Sequence, residues 1–331
     1  MRETLRQMGI RPGRLEAGPA NDLTDVAGTR VGHLTKISGE GSLRVGQGPV
    51  RTGITVVVPP EGGPWPAGTA VINGYGKSLG LIQVQELGTI EAPVYLTNTL
   101  SVGAVQQGAL RHHRDHGTIR PGQSLNVVVG ECNDGFLNDL WGLHVTPDDV
   151  ESLWDNGFAG DAEGSVGAGT GMQGFGYKGG VGMSSRRLST GAVLGALVLL
   201  NCGRPADLGV PEPVVPPPTR PDGSIMILLT GNLALDRFDS GRVVRRAVHG
   251  LARTGATSAP GSGDVALYWD VGRDEGAKPD LAEAFLAVTE ATEEAIWNAL
   301  ATAETIEGRD GHVLPQLGQD QIRGWWLRSP H

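Results

Sequence analysis

A serine stands where a proline-rich loop meets an apolar strand. Pro216-Pro217-Pro218-Thr219-Arg220-Pro221-Asp222-Gly223-Ser224 runs directly into Ile225-Met226-Ile227-Leu228-Leu229. Proline neither continues a helix nor joins a central strand. Asp-Gly is turn chemistry, and the apolar run reads as a buried strand. A Gly223–Ser224 bond at such a junction can be strained and cut by its own serine. Cleavage would leave Ser224 as a new N-terminus carrying a hydroxyl and an α-amine, a pairing that activates a hydroxyl nucleophile. The same residues also read as an ordinary loop entering a strand.

Other polar groups close apolar runs. Glu131 follows Ser124–Gly130 in Gly130-Glu131-Cys132-Asn133-Asp134-Gly135-Phe136. A carboxylate there can hold a cationic group such as a substrate amine, or belong to a capped turn. Asn201 ends the run Ala192–Leu200, where its amide can donate to an oxyanion or cap the strand. Ser262 and Asp264 are spaced i, i+2 before Val265–Trp269, which puts both on one face of a regular strand; Ser-Gly-Asp is also a common turn. Gly169-Thr170-Gly171-Met172-Gln173-Gly174 fits G-x-G-x-x-G. A dinucleotide site also needs a helix after the motif, and more glycine follows instead, so the reading is a loop that lets backbone approach a ligand or another chain. His112, His113 and His116 could share a helix face and hold a metal, but Arg111, Arg114 and Asp115 beside them read as a solvated helix end.

The elements that position these groups alternate along the chain. Strands are expected at 51–58, 68–74, 92–97, 124–130, 192–200, 225–229 and 265–269. Helices are expected at 79–87, 101–113, 147–158, 242–253 and 279–306. A glycine-rich loop is expected at 164–182 and a proline-rich linker at 208–221. Pro147-Asp148-Asp149 suits a helix N-terminus. Some strands follow one another with no helix between, which favours a layered α/β architecture with two packed sheets over a doubly wound parallel sheet.

The 331 residues suffice for a substantial core. Fifty-two glycines against 5 % aromatics favour tight turns and close backbone approach. The net charge is −9 without a block of like charge, which argues against a nucleic-acid partner. No run approaches 18 apolar residues, so no membrane-spanning helix is expected. The N-terminus lacks the apolar stretch of a secretory signal. Cys132 and Cys202 could form a disulfide, but they read better as two buried thiols of a cytoplasmic protein.

Taken in order, Thr97-Asn98-Thr99-Leu100, Asn133-Asp134-Gly135, Gly169-Thr170-Gly171-Met172, Tyr177-Lys178-Gly179-Gly180, Leu199-Leu200-Asn201-Cys202-Gly203, Asp222-Gly223-Ser224-Ile225, Gly261-Ser262-Gly263-Asp264 and Glu307-Gly308-Arg309-Asp310-Gly311 resemble the P1-family peptidases. These are also called the DmpA or β-aminopeptidase family (L-aminopeptidase/D-esterase). The resemblance runs from about Asn21 to Pro315. It implies a four-layer αββα sandwich, like that of N-terminal nucleophile hydrolases and of the ornithine acetyltransferases. It implies one domain over 1–331, self-cleaved between Gly223 and Ser224 into 1–223 and 224–331, assembling as a homo-oligomer of such pairs. The implied activity removes N-terminal residues from small peptides, amides or esters with a free amine, D- or β-amino acids included, with no metal or cofactor. By position Ser224 matches the nucleophile, Ser262 and Asp264 the proton relay, Asn201 the oxyanion amide and Glu131 the ligand of the substrate amine. Two features depart from the family. Asp264 stands where its aminopeptidases carry glutamate, and both Asn133 and Phe136 compete for the place of an aromatic residue near the substrate. The alternatives are acyl transfer to an amine, as in the ornithine acetyltransferases, and a small-molecule binding protein that never cuts itself. A related family of nylon-oligomer hydrolases uses threonine as nucleophile; the serine here points away from it.

Overall fold

The computed structural model describes residues 2–117, 119–120, 122–158, 163–208, 223–273 and 280–328. The expected linker lies, but for its first residue, outside the described residues, as does the expected start of the last long helix at Pro279.

The chain runs β1 (Arg30–Ser38), β2 (Val50–Val58), β3 (Trp65–Gly74), α1 (Leu81–Leu87), β4 (Thr89–Ile90), β5 (Val94–Asn98), α2 (Val102–Asp115), β6 (Val128–Cys132) and α3 (Pro147–Asn156). Then come β7 (Gln173–Gly174), β8 (Tyr177–Lys178), β9 (Gly180–Arg187), β10 (Val193–Asn201), β11 (Ser224–Gly231), α4 (Arg237–Val244), α5 (Ala247–Arg253), β12 (Gly263–Asp270) and α6 (Leu281–Thr302). β13 (Ile306–Glu307), β14 (Val313–Leu314) and α7 (Gln319–Arg328) close the chain. One sheet has the order β1-β2-β5-β6 and a second β4-β3-β12-β11-β10-β9.

Strand β11 explains the layering. All eight of its residues are buried, and side chains alternate across a strand. Ile225, Ile227 and Leu229 pack with Val288, Ala291, Ala295 and Leu300 of α6. Met226 and Leu228 pack with Leu96 and Val128 of the other sheet. A strand covered on both faces reads as a continuous apolar run, which is what Ile225–Leu229 is. On the outer face of the first sheet, Tyr95 and Val129 meet Val105 and Ala109 of α2 and Val150 and Leu153 of α3. The order is therefore helices, sheet, sheet, helices: the αββα sandwich.

The glycine-rich stretch 164–182 is not all loop. Its C-terminal part is β7, β8 and the start of β9, all buried. Glycine is needed there because helix α6 lies against the strand: a Cβ at Gly182 would come 2.0 Å from the Ala295 carbonyl oxygen. The expected helix 242–253 is two helices, the first begun earlier by Asp236, whose side chain accepts from the Asp239 amide at 2.9 Å. Strand β1 and helix α7 lay outside the expected elements. The end of α2 is less solvated than its charges suggest. His112 and His113 are buried, His112 stacks on Trp154 with ring centres 4.4 Å apart, and its Nδ1 lies 2.9 Å from Glu151. Burial lowers the His113 pKa to about 4, with His112 and His116 adding to the shift.

The N-terminal segment is tied to α6 by buried charge. Arg186 is fully buried between Glu290 (3.2 Å) and Glu294 (2.8 Å). Arg6 reaches Glu294 at 2.9 Å, and Asn298 Oδ1 accepts the Leu5 amide at 2.9 Å.

Candidate active site

Three neighbouring strand ends of the second sheet meet the ends of β5 and β6 across the gap between the sheets. Ser224 opens β11. Its register partners are Asn201, the last residue of antiparallel β10, and Gly263, the first of parallel β12. Ser224 shares strand parity with Met226 and Leu228, and Asn201 with Leu197 and Leu199, all of the core between the sheets. Both side chains therefore belong to the inter-sheet face. The Gly263 amide donates to Ser224 Oγ at 3.2 Å.

The Asn201 side chain is held at both ends. Its Oδ1 accepts the Gln173 amide at 2.9 Å, and its Nδ2 donates to the Asn133 carbonyl at 3.1 Å. Gly223 fits because it has no side chain: a Cβ there would lie 1.8 Å from the Asn201 carbonyl oxygen.

Glu131 is buried near the end of β6. The Lys77 amide donates to Oε1 at 2.8 Å and the Thr99 hydroxyl to Oε2. Parallel pairing of β5 with β6, Thr97 opposite Glu131, brings Thr99 within reach. Ser224, Gly223, Asn201, Glu131, Asn133 and Phe136 all line one cavity of about 1190 Å³. Phe136 stacks on His312, ring centres 4.5 Å apart. That volume exceeds the roughly 300–1,000 Å³ of most small-ligand pockets and holds a short peptide. A buried carboxylate can pair with an ammonium there while a hydroxyl and an amide face the next carbonyl.

Ser262 and Asp264 are hydrogen-bonded to each other, Ser262 Oγ donating to Asp264 Oδ1 at 2.5 Å. β12 begins only at Gly263 and slips register between Asp264 and Val265, so the two are not successive positions on a regular strand face. Ser262 lines a smaller recess with Gly223, Cys202 and Ser258, and Asp264 stands beside Ile225. The pair thus approaches the Gly223–Ser224 junction from its other flank. Burial raises the Asp264 carboxyl above the ordinary carboxylate value, while Ser262, Ser258 and the Ile225 amide pull it back down. Cys132 and Cys202 are free and buried, their thiols pushed well up by burial.

Residues 21–314 match Peptidase family S58. The chain belongs to peptidase family S58. It is 34% identical over 360 residues to the β-peptidyl aminopeptidase BapA of Sphingosinicella microcystinivorans, covering 96% of this chain and 90% of that one. The crystal structure of the PH0078 protein from Pyrococcus horikoshii OT3 superposes with a TM-score of 0.90 at 39% identity, covering 98% and 99% of the two chains. The L-aminopeptidase D-Ala-esterase/amidase of Ochrobactrum anthropi, described as a prototype serine aminopeptidase and a variant of the Ntn-hydrolase fold, superposes at 0.86 with 30% identity and 98% of each chain. This S58 chain is accordingly a hydrolase, an aminopeptidase/amidase of the Ntn-hydrolase type. No helix among its described residues is long and apolar enough to cross a membrane.

The family's ordered motifs led to Ser224, Asn201, Glu131, Ser262 and Asp264. Sequence reasoning missed the groups that hold them: Thr99 and the Lys77 amide on Glu131, the Gln173 amide on Asn201, and the Gly263 amide on Ser224. Thr99, inside Thr97-Asn98-Thr99, Gln173, inside the glycine-rich Gly169–Gly174, and Gly263, inside Ser262-Gly263-Asp264, lay in motifs already noted; for Lys77, spacing along the chain carries no signal.

Proposed function

We propose that this S58 hydrolase matures by cutting itself between Gly223 and Ser224, and that Ser224 then serves as its nucleophile. The observation that carries the reading is the register of Ser224: its hydroxyl opens a buried strand, beside the Asn201 amide, in a cavity that also holds the buried carboxylate of Glu131.

In the precursor, Ser224 Oγ attacks the Gly223 carbonyl carbon. The C–N bond breaks, the nitrogen leaves as the free α-amine of Ser224, and Gly223 remains as an ester. Water hydrolyses that ester, giving a Gly223 carboxylate and the free hydroxyl. In turnover, Ser224 attacks the substrate carbonyl while Asn201 and backbone N–H groups hold the oxyanion, each such donor worth about 3–4 kcal/mol. The hydroxyl proton passes to the Ser224 amine, whose reference pKa is about 7.7–8.0, or to Ser262 backed by Asp264. The leaving amine departs protonated, and water releases the acyl residue. Glu131 pairs with the substrate ammonium, so substrates are small peptides, amides or esters with a free amine. The relatives named for β-peptidyl and D-Ala substrates support acceptance of β- and D-amino acids. The mature form is a cytoplasmic homo-oligomer of 1–223 and 224–331 pairs.

Intact-mass measurement tests this. Dividing 34.6 kDa in proportion to the two segments predicts about 23 and 11 kDa for active wild type. Ser224→Ala remains one inactive, folded chain. Full-length active protein would overturn the reading.

A further inference from the structure

Lys178 is a fully buried cation outside the catalytic set. It sits on β8, in the two-strand hairpin that pairs it with Gln173. Its ammonium donates to three backbone carbonyls, of Gly169 at 2.8 Å, Met172 at 2.9 Å and Gly179 at 2.8 Å. An ammonium has three donors and no acceptor, and here all three are used. Burial lowers the Lys178 pKa to about 7, and Asp134 raises it again; hydrogen bonds to the charged form favour that form further.

The Met172 carbonyl and the Gln173 amide belong to one peptide unit, which is planar. Lys178 holds its carbonyl end at 2.9 Å, and its N–H end donates to Asn201 Oδ1 at 2.9 Å. The chain of contacts is thus ammonium, peptide, side-chain amide. Hydrogen bonds in series polarise one another, so a cation at one end makes the Asn201 N–H a stronger donor at the other. Residues 167, 169, 171, 174, 176, 179 and 180 are glycine, and the Gly179 amide also donates to the Met172 carbonyl at 3.0 Å, so among the described residues Lys178 is the one charged group on that carbonyl.

We propose that Lys178 is a positioning residue for catalysis: through the Met172–Gln173 peptide it orients and polarises the Asn201 amide that receives the oxyanion. This rests on the oxyanion role given to Asn201 above. Lys178 does not line the cavity that holds Ser224, and its ammonium meets only backbone carbonyls, so its contribution passes through Asn201.

The test is a double-mutant cycle on matured enzyme, with circular dichroism to confirm folding. Lys178→Met lowers kcat about 10–10²-fold with KM within about twofold, a share of the 10²–10³-fold typical of losing an oxyanion donor. In the Asn201→Ala background the same substitution costs nothing further. If the two losses multiply, Lys178 does not act through Asn201 and the proposal is overturned. An unchanged kcat in folded Lys178→Met overturns it as well. An unchanged kcat in Asn201→Ala alone overturns the oxyanion role itself, and this proposal with it. Should Lys178→Met not fold, Lys178→Gln, which keeps two donors but no charge, carries the same cycle with a smaller loss.

Discussion

Asp264 and Gly223 carry the sharpest tests at the scale of single residues. Burial raises the Asp264 carboxyl, so it ionises at higher pH than the reference carboxylate near 3.9. Only the ionised form can back Ser262 as a proton acceptor, so kcat/KM rises with pH through that raised value. Asp264→Asn abolishes this limb, slows self-cleavage and lowers kcat about 10²–10⁴-fold, the range for positioned acid–base groups; Asp264→Glu keeps much of both. The stability effect has the opposite sign. A carboxyl whose folded-state pKa is raised contributes stability below its unfolded pKa and loses it as pH rises through the folded one. Asp264→Asn therefore melts higher than wild type at pH 7 and equally at pH 3. Normal maturation and kcat with a lower melting temperature would make Asp264 a turn cap. Gly223 is tested by the kinetics of processing. A Cβ there would meet the Asn201 carbonyl at 1.8 Å, and displacement by about an ångström costs roughly 10²-fold. Gly223→Ala should slow precursor cleavage on that order while leaving kcat of the matured enzyme unchanged. Equal cleavage half-times on denaturing gels would refute the steric argument.

Between elements, the closest constraint is the approach of α6 to β9. A Cβ at Gly182 would lie 2.0 Å from the Ala295 carbonyl and 2.4 Å from the Ala299 amide nitrogen, backbone atoms that cannot swing aside. Gly182→Ala must push helix from sheet, and overpacking of this kind costs about 1–3 kcal/mol or more. Thermal denaturation should show a melting temperature several degrees below wild type; an unchanged one would mean the layers are looser than the geometry implies. The same helix carries Glu290 and Glu294 against buried Arg186, so displacing it also strains an ion-pair network in which each lost partner leaves a charge uncompensated.

Cleavage at Gly223 would divide the sandwich without emptying any layer. β11 pairs with β10 of the N-terminal segment over eight residues and with β12 of the C-terminal one. α6 packs against β9 and β10, and both the core between the sheets and the core under α4–α6 join residues of the two segments. The two pieces are therefore inseparable without unfolding. Matured protein should elute from gel filtration as one particle under native conditions and resolve into about 23 and 11 kDa only in denaturant. Release of the smaller piece under native conditions would contradict the shared core.

What the sequence determined by itself is local. Apolar runs bounded by turn residues marked β2, β5, β10, β11 and β12 to within a few residues, because a strand buried on both faces is apolar at most successive positions. Pro147-Asp148-Asp149 marked the start of α3, because an acidic first turn suits a helix N-terminus. Glu131 and Asn201 were legible as polar groups closing such runs, and Ser224 and Asp264 as polar groups opening them. Tertiary structure decided the rest. The start of β9, residues 180–182, reads as loop until α6 covers it, since glycine there answers a neighbour's backbone and not a turn. Thr99 reaches Glu131 only through the parallel register of β5 and β6, and Lys178 reaches Asn201 only through a folded hairpin and a shared peptide plane. Periodicity along a chain reports which face is buried; which strand ends meet is set by pairing between residues far apart in sequence, and no local pattern encodes it.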